Sequence, residues 1–565
     1  LVIDLSELPL KVTATNWRPM IDNNTLRTCH NLYIDENGIA YLAGCNVNAG
    51  GMLYVDVKTT PGTPVLIGKG PSIYAHDVYV QDNIMYASEI YDGKLGIYDI
   101  SDKLNTKPLA SQTTPFRFTH NAWTTENGDF VFTTDERANA PVAAYDISDL
   151  NDIREMDQFR PIYTLGTGTI PHNVHVKDNY LHISYYTAGG VIVDASRPEN
   201  LVEVANWDSS LGPDGGFAGA WGMYPFLPSG NVLISDIENG LFIIKPNLKR
   251  ACFLEGRITD SSNNQPLANA EIEILSNQVT LTNSSFSGNY KTGQAQAGTF
   301  DVLVERSGYE SKTVQATLQN GVVTILDVAL RPLASFTVGG KAVNSVSGAS
   351  VANAKVIVSN DEYYFETTAD FNGNFNLGNV YQGKYNVSVG AWGYLHKVVE
   401  NFTIDNNKSI TIPLDRGYQD DFFFDLGWTA SSDSAVAGFW ERGVPVGATF
   451  GGQVVTPTRD IDGDLGETCY LTGNQGDQAG FSDVDEGRVT LTSPLMDLSG
   501  YNNPIISYYL WFYNNGGNGN PDDSLVVRIS NGIETITLEK ITTSRNQWRD
   551  RSEFELRDYI EITDN

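Results

Sequence analysis

Four of the seven histidines in this chain begin strand-like segments at one phase of an internal repeat. They are His30, His76, His120 and His172, and Trp221 takes the equivalent place in the following copy. Neutral imidazole binds transition metals and exchanges protons near physiological pH. A row of such side chains at one mouth of a channel would form a polar ring that could hold a metal ion or a small ligand.

Acidic side chains are expected beside this row. Reflection of each hairpin through its turn pairs His76 with Glu89, His120 with Asp135, His172 with Tyr185 and Trp221 with Asp236. Imidazole and carboxylate together suit zinc or another transition metal, and calcium prefers the carboxylates. The alternative interpretation is structural: each histidine is oriented by its acid and ties neighbouring repeats together. Both interpretations stay open at this point.

A second acidic pattern lies near the C-terminal end. Asp460, Asp462 and Asp464 alternate around a glycine that permits a tight loop. The bidentate glutamate of an EF-hand is missing, but the spacing still predicts a structural calcium ion, with a solvated acidic loop as the alternative. Further acidic clusters in the same region are Asp483 with Asp485, and Asp522 with Asp523.

Recognisable catalytic motifs are missing from the sequence. It contains no Gly-x-Ser-x-Gly elbow, no His-Glu-x-x-His pair and no P-loop, so the catalytic residues, if there are any, are unknown and no organic cofactor is predicted. A glycosidase-like carboxylate pair would leave no local motif, because its two acids would come from different repeats.

Two of the four cysteines flank a predicted hairpin. Cys29 and Cys45 are equidistant from Asn37, which begins an Asn-Gly turn, so the two residues would face each other across the strands. We predict a disulfide and read it as support for an oxidising compartment, with two unrelated buried thiols as the alternative.

The elements that position these residues are short strands in a repeat of about 47 residues. Strands of the type Leu-Val-Ile-Asp recur with their acids at Asp4, Asp56, Asp99, Asp146 and Asp194. Four short strands in each period describe a propeller blade, and we expect six or seven blades, the first of them incomplete. The predicted propeller covers residues 1–249.

The remainder of the chain predicts β-sandwiches. Matching Gly-, Asn- and Tyr-rich motifs about 85 residues apart indicate a tandem duplication, with modules at 250–333 and 334–416. Residues 417–565 have longer strands, such as 504–512, and predict a jelly roll that continues beyond the given sequence. The expected class is therefore all-β: a propeller, two transthyretin-like or immunoglobulin-like sandwiches and a jelly roll.

Charge excludes some partners. The chain carries 37 basic and 68 acidic residues, a formal net charge of −31, which repels nucleic acid and anionic membranes. No apolar run reaches the length of a membrane span, so no membrane insertion is expected.

Several of these motifs resemble known families. The Leu-Val-Ile-Asp strands, the His-Asn strand starts and the segment 220–230 resemble the choice-of-anchor B family of bacterial secreted or surface proteins. The duplicated module resembles the carboxypeptidase regulatory-like domain, which carries no catalytic residues. The last segment looks like a MAM-type jelly roll of Bacteroidetes exported proteins. The combination is similar to substrates of the type IX secretion system, which implies export to the outside of the cell and contact with that export machinery.

Two functions from different classes follow. The first is a secreted or cell-surface binding protein of adhesion type, in which the propeller recognises an extracellular glycan or surface protein and the sandwiches act as spacers. The second is a metal-dependent hydrolase or lyase that acts on an extracellular polymer through the histidine and acid rim. The sequence favours the first, because its recognisable modules are non-catalytic.

Overall fold

The computed structural model describes residues 1–476, 479–480, 483–515 and 521–564. Its regular elements are β-strands apart from three short 3-10 turns, Asn48–Gly50, Ile162–Thr164 and Leu556–Asp558, which confirms the all-β class. The chain forms two compact units, Leu1–Pro332 and Leu333–Asn565. Among the described residues, no helix has the length and apolar character that a membrane span requires.

The propeller part of the first unit consists of antiparallel sheets that follow one another along the chain. In the fully described stretch 31–244 there are five such sheets, which we call blades 1 to 5. Their strands are Asn31–Ile34, Ile39–Ala43, Leu53–Asp56 and Val65–Lys69 in blade 1; Asp77–Gln81, Ile84–Glu89, Lys94–Asp99 and Lys107–Thr113 in blade 2; Thr119–Thr124, Phe130–Asp135, Val142–Asp146 and Arg154–Phe159 in blade 3; Val174–Lys177, Tyr180–Ser184, Gly190–Asp194 and Val202–Trp207 in blade 4; and Ala220–Tyr224, Val232–Asp236 and Gly240–Ile244 in blade 5.

Gly240–Ile244 is a sixth copy of the repeat, without the acid, and the first copy lies at the N-terminus as a hairpin. Its Leu-Val-Ile-Asp segment forms Val2–Asp4, which pairs with Thr13–Thr15. A second small hairpin joins Met20–Ile21 to Asn24–Thr25. All six copies of the repeat therefore form β-structure, while closure of the propeller with six or seven blades stays a prediction.

Local chemistry explains the blades. The hairpin between the first two strands of blade 2 turns at Asp82 and Asn83, both with positive φ, as two-residue turns of this hand require. The repeat aspartate ends the third strand and accepts the backbone N–H two residues later, for example Ser101 N–H on Asp99 at 2.9 Å. The apolar faces pack between neighbouring sheets, where Tyr145 and Phe132 of blade 3 are fully buried.

A β-sandwich completes the first unit. One sheet contains Asn289–Gln294, Cys252–Asp260, Val323–Ile325 and Val328–Leu330, and the other contains Thr282–Asn283, Glu271–Leu275, Gly298–Glu305 and Lys312–Leu318. Alternate residues of both sheets, such as Ile272 and Val302, form one core.

Blade 4 is joined to this sandwich through polar contacts. Asp194, which is fully buried, accepts the Ala251 N–H at 2.7 Å and pairs with Arg250 at 3.0 Å. Arg197 pairs with Glu255 at 2.9 Å. The repeat aspartate of this blade therefore has a second role that its counterparts in the other blades do not share.

The second unit begins with the duplicated sandwich. Its sheets contain Asn374–Tyr381, Ser335–Asn344 and Lys408–Leu414, and Tyr364–Thr368, Lys355–Ser359, Gly383–Gly390 and Lys397–Ile404. The pairing of its first strand with its last is parallel, as in the first copy. The two modules therefore share one topology.

The described part of 417–564 forms two-stranded antiparallel pairs. They are Thr429–Asp433 with Arg488–Thr492, Trp440–Gly443 with Cys469–Thr472, Thr449–Phe450 with Gln453–Val454, Ile505–Tyr508 with Ser552–Glu555, and Leu525–Ser530 with Thr535–Ile541. The long strand expected over 504–512 ends at Tyr508; beyond it, Leu510 is buried and Trp511 donates its indole N–H to the Val455 carbonyl at 3.0 Å. The jelly roll itself stays a prediction.

Candidate functional site

The repeated histidines form one continuous row along the inner strands. Ring centroids are 3.9 Å apart for His30 and His76, 4.3 Å for His76 and His120, and 4.3 Å for His120 and His172. Trp221 extends the row, 4.9 Å from His172. The side chains become less accessible towards the middle, where His120 and His172 are buried, while Trp221 is 52% exposed. We call these five side chains the rim row.

Two of the predicted pairs in this row, His120 with Asp135 and Trp221 with Asp236, are displaced by one residue. In blade 3 a β-bulge places Thr119, and not His120, opposite Asp135. Blade 5 has the same bulge, so Ala220 faces Asp236 and Trp221 is the extra residue. A bulge inserts one unpaired residue and changes the face on which the following side chains point, which a simple reflection of the hairpin cannot anticipate.

In blades 2 and 4 the strand registers, which pair Asp77 with Ser88 and Val174 with Ile183, lead up to the other two predicted pairs, which stay predictions. The His76 backbone N–H donates to the Ser88 carbonyl, and the Glu89 carboxylate accepts the Tyr98 hydroxyl. Tyr185 donates its hydroxyl to the Ala140 carbonyl in blade 3, at 2.7 Å.

Two of the predicted acids, Asp135 and Asp236, accept hydrogen bonds from loops of their own blades. Asp135 accepts the N–H groups of Phe116 at 2.7 Å and Phe118 at 3.0 Å, so it fixes the loop that leads into its inner strand. Asp236 accepts the N–H groups of Glu238 and Asn239. Each of these two carboxylates therefore stabilises a loop of its own blade.

Burial keeps the imidazoles of His76, His120 and His172 neutral. It lowers the pKa of His76 to about 4 and that of His172 to about 3, and it holds the pKa of His120 well below the usual value. Hydrogen bonding to the backbone of the equivalent residue in the next blade partly offsets each shift. These hydrogen bonds connect the rim side chains of one blade to the backbone of the next.

The side chain of Asn121 also connects neighbouring blades. Asn121, which follows His120, donates to the Asp77 carboxylate of blade 2 at 2.8 Å and accepts the Val174 N–H of blade 4 at 2.9 Å. Three blades are thereby linked through one buried amide, which accounts for the His-Asn motif in structural terms.

A second row of rings lies three residues further along each inner strand, a spacing that is visible in the sequence. Centroid distances are 5.2 Å for Tyr33 and Tyr79, 4.0 Å for Tyr79 and Trp123, 4.7 Å for Trp123 and His175, and 6.3 Å for His175 and Tyr224. The inner strands therefore present two layers of rings, one at the rim and one deeper.

One acidic side chain breaks the symmetry of the rim. Glu136, next to the predicted Asp135, reaches two rings of the row: its Oε2 lies 3.8 Å from His120 Nε2 and its Oε1 lies 3.9 Å from His172 Nε2. The Tyr186 hydroxyl donates to Oε1 at 2.6 Å. Burial raises the pKa of the Glu136 carboxyl. Sequence reasoning missed both Glu136 and Tyr186. Their only signal in the sequence was their shared position just after the second strand of a blade.

Exposed aromatic side chains lie in the loops beside the same rim. Phe116 and Phe217 precede the inner strands of blades 3 and 5, and Tyr91 follows the second strand of blade 2. Their exposed fractions are 41%, 61% and 76%. Phe217 also packs edge-on against Tyr186, with centroids 5.5 Å apart. Together with Trp221 they form an aromatic surface around the rim row.

The acidic candidates of the second unit separate into two groups. Asp460 is 7% exposed, and its Oδ2 has no hydrogen-bond partner among the described residues. Asp464 is exposed; partial burial of its carboxylate, together with the charges of Asp460 and Asp421, raises its pKa to about 6. The neighbouring Leu465 N–H donates to the Asp421 carboxylate at 3.1 Å. Asp462 pairs with Arg459 at 3.3 Å, and the other exposed candidates are Asp462, Asp483, Asp485, Asp522 and Asp523.

The structure joins Cys29 and Cys45 by a disulfide across the hairpin of blade 1. Cys252 and Cys469 are buried free thiols.

Two segments of the chain, residues 254–331 and 337–415, match the carboxypeptidase regulatory-like domain. They coincide with the two sandwiches. A curated relative, bacillopeptidase F of Bacillus subtilis, is 24% identical over 172 residues, which is 30% of this chain and 12% of the relative. The chain thus spans about an eighth of the length of that relative.

Solved structures show weaker likeness. A streptococcal ancillary pilin has 10% identity and a TM-score of 0.23, covering 48% of this chain and 84% of the pilin. A periplasmic gluconolactonase of Pseudomonas aeruginosa has 14% identity and a TM-score of 0.30, covering 38% of this chain and 65% of its own. At these TM-scores neither likeness carries an argument about function.

Proposed function

We propose that the chain is a secreted or cell-surface binding protein of adhesion type, with the propeller rim as its recognition surface. The observation that carries this proposal is the group of exposed aromatic side chains around the rim row, among them Phe217 and Trp221. Large aromatic faces held by a rigid scaffold dominate binding energy in recognition sites. The two regulatory-like sandwiches act as spacers.

An extracellular glycan is the ligand class that this surface fits best. Flat apolar rings such as Trp221 offer faces for sugar rings, and the half-buried carboxylate of Glu136 nearby offers hydrogen bonds. A surface protein is the other class consistent with exposed aromatics. Export by the type IX route and membership of the choice-of-anchor B family belong to the same proposal, on the basis of the repeat and strand-start motifs.

The test is a binding screen of the full chain on glycan and matrix-protein arrays, run beside turnover assays on the same polymers. We expect saturable binding to a glycan without turnover. Binding to nothing on either array, together with hydrolysis or elimination of a polymer, would show that the proposal is wrong.

A metal-dependent hydrolase or lyase is the second candidate function. The placement of Glu136 between His120 and His172 favours it, because a carboxylate with two neutral imidazoles is a common metal ligand set. This function predicts turnover of an extracellular polymer that is lost in Glu136→Gln, whereas Glu89→Gln, in blade 2, keeps it. Unchanged turnover in Glu136→Gln would exclude the rim as the catalytic site.

We further propose that Asp460 and Asp464 bind a structural calcium ion, with Asp421 as an additional ligand. The unpartnered, buried Oδ2 of Asp460 supports this, because a buried carboxylate oxygen without a partner is costly. Calcium would satisfy it and offset the repulsion among the acids.

A further inference from the structure

We propose that His120, Glu136 and His172 together bind one divalent transition-metal ion of the zinc class at the rim between blades 3 and 4. Their potential ligand atoms all lie within 4.8 Å of one another. This inference goes beyond the binding function, because the site can hold a metal whether or not the rim recognises a glycan.

The geometry is close to that of a bound ion. The Glu136 carboxylate oxygens lie 3.8 Å from His120 Nε2 and 3.9 Å from His172 Nε2. Around a tetrahedral zinc ion with bonds of about 2.1 Å, neighbouring ligand atoms lie roughly 3.4 Å apart. Side-chain movements of roughly half an ångström would therefore bring these two pairs to coordinating separations.

The ligand side chains are held in place before any metal arrives. His120 and His172 are 3% and 5% exposed and are packed in the rim row. Tyr186 donates its hydroxyl to Glu136 Oε1 at 2.6 Å and so orients the carboxylate. Hydrogen bonds of this kind to a ligating group are a regular feature of metal sites, where they fix ligand orientation. Tyr186 is thus a positioning residue.

Comparison with the other blades supports a metal site between blades 3 and 4. The residue that corresponds to Glu136 is Ile90 in blade 2 and Ile237 in blade 5. His76 and His120 are just as close as His120 and His172, with ring centroids 4.3 Å apart in both pairs. Of these two pairs, only His120 and His172 have a carboxylate that reaches both rings. Because blade 2 forms without such a carboxylate, Glu136 is not needed to build a blade.

Three protein ligands leave a coordination position open. Structural zinc sites are normally closed by four protein ligands, whereas three ligands leave a place for water or an exogenous donor. Trp221 packs on His172, so a ligand bound at the exposed aromatic surface would lie near that open position. An oxygen donor, such as a carboxylate or hydroxyl of a sugar, is the expected chemistry of the exogenous ligand.

The test uses the untagged full chain, stripped of metal with a chelator and dialysed. Zinc is titrated in competition with a chromophoric chelator, and cobalt(II) is added in a parallel sample to record its visible absorption. We expect one zinc ion per chain, and we expect its binding to require the rim residues. The cobalt(II) spectrum should be that of a metal ion with a low coordination number. Glu136→Gln and His172→Gln should each weaken that binding at least tenfold, and Tyr186→Phe should weaken it about tenfold.

His76→Gln is the matched control, because His76 occupies the same position in blade 2 without an acid beside it. It should leave zinc affinity and the cobalt spectrum unchanged. Circular dichroism and thermal melting verify that each variant is folded, and Glu136→Gln decides the result if His172→Gln does not fold. The proposal is overturned if the wild-type chain takes up no zinc, if zinc binding survives Glu136→Gln, or if His76→Gln weakens it equally.

Discussion

Replacement of Asp194 by alanine should loosen the attachment of the first sandwich to blade 4. Asp194 is fully buried and accepts N–H groups from Ser196 at 2.9 Å and Ala251 at 2.7 Å, in addition to its ion pair with Arg250. Asp99 is the repeat counterpart in blade 2; it accepts the Ser101 N–H at 2.9 Å, and its carboxylate is solvated. The two substitutions therefore remove the same turn contact, and only one of them also removes the interdomain contacts.

The magnitude follows from the contacts that are lost. A hydrogen bond to a charged group contributes about 1.5–3 kcal/mol, and the loss of one partner leaves the other uncompensated. Arg250 keeps 34% of its side chain exposed, so water compensates part of its charge. We expect Asp194→Ala to cost about 2–3 kcal/mol, which corresponds to a roughly 30- to 150-fold larger population in which the linker is open.

Native-state trypsin cleavage after Lys249 measures that population, because cleavage tracks the open form when opening and closing are fast. Mass spectrometry identifies the cleavage site, and urea unfolding gives the global stability. Asp194→Ala should accelerate cleavage in this range, and Asp99→Ala should leave it nearly unchanged. Equal cleavage rates in the two variants would refute the reasoning that Asp194 secures the attachment.

Three further predictions concern other parts of the chain. Replacement of both Cys29 and Cys45 by serine should lower the free energy of unfolding by about 3 kcal/mol in urea titrations, because their disulfide closes a 16-residue separation; an unchanged midpoint would contradict this. Burial lowers the pKa of His182 to about 3, so the folded state binds fewer protons than the unfolded state between pH 6.5 and 3. His182 alone should therefore lower the stability by about 2 kcal/mol from pH 6.5 to 5, in addition to the other buried histidines, and His182→Leu should reduce the slope of the denaturation free energy against pH by that share. Calcium should raise the melting temperature and EDTA should reverse this, whereas Asp460→Asn should abolish the response; an identical response in the variant would remove Asp460 from the site.

The parts of the fold that depend on local chemistry were predictable from the sequence. Asn-Gly and Asp-Asn turns determine where a hairpin reverses, and the repeat aspartate marks the end of the third strand in blades 1 to 4, so these blades could be placed in the chain. The phase of the histidines was enough to place them in one row. The facing cysteines of blade 1 followed from the same hairpin geometry.

The candidate site could be predicted only in part, because it depends on a one-residue irregularity. The bulge at His120 moves the paired position to Thr119, so Asp135 turns to its own loop and Glu136 reaches the rings. A bulge depends on tertiary context and has no reliable sequence marker. Tyr186 comes from the neighbouring blade, so its contact with Glu136 is non-local and invisible to pattern reasoning.

The second layer of rings could have been predicted and was missed. Tyr33, Tyr79, Trp123, His175 and Tyr224 follow the rim row at a constant offset of three residues. In an extended strand that offset places them on the other face of the strand, and the bulges at the rim positions of blades 3 and 5 change that parity. In these two blades the same irregularity therefore explains both the displaced acid pairs and the overlooked rings.

The most direct test of the binding function compares two tryptophans of the same propeller. Trp221 in the rim row is 52% exposed, and Trp207 on the outer strand of blade 4 is 46% exposed. We predict that Trp221→Ala weakens binding of a glycan found in the array screen by about 2 kcal/mol, roughly thirtyfold in Kd by calorimetry, and that Trp207→Ala leaves Kd unchanged. Equal affinities for wild type and Trp221→Ala, or a loss confined to Trp207→Ala, would contradict the assignment of the rim as the recognition surface.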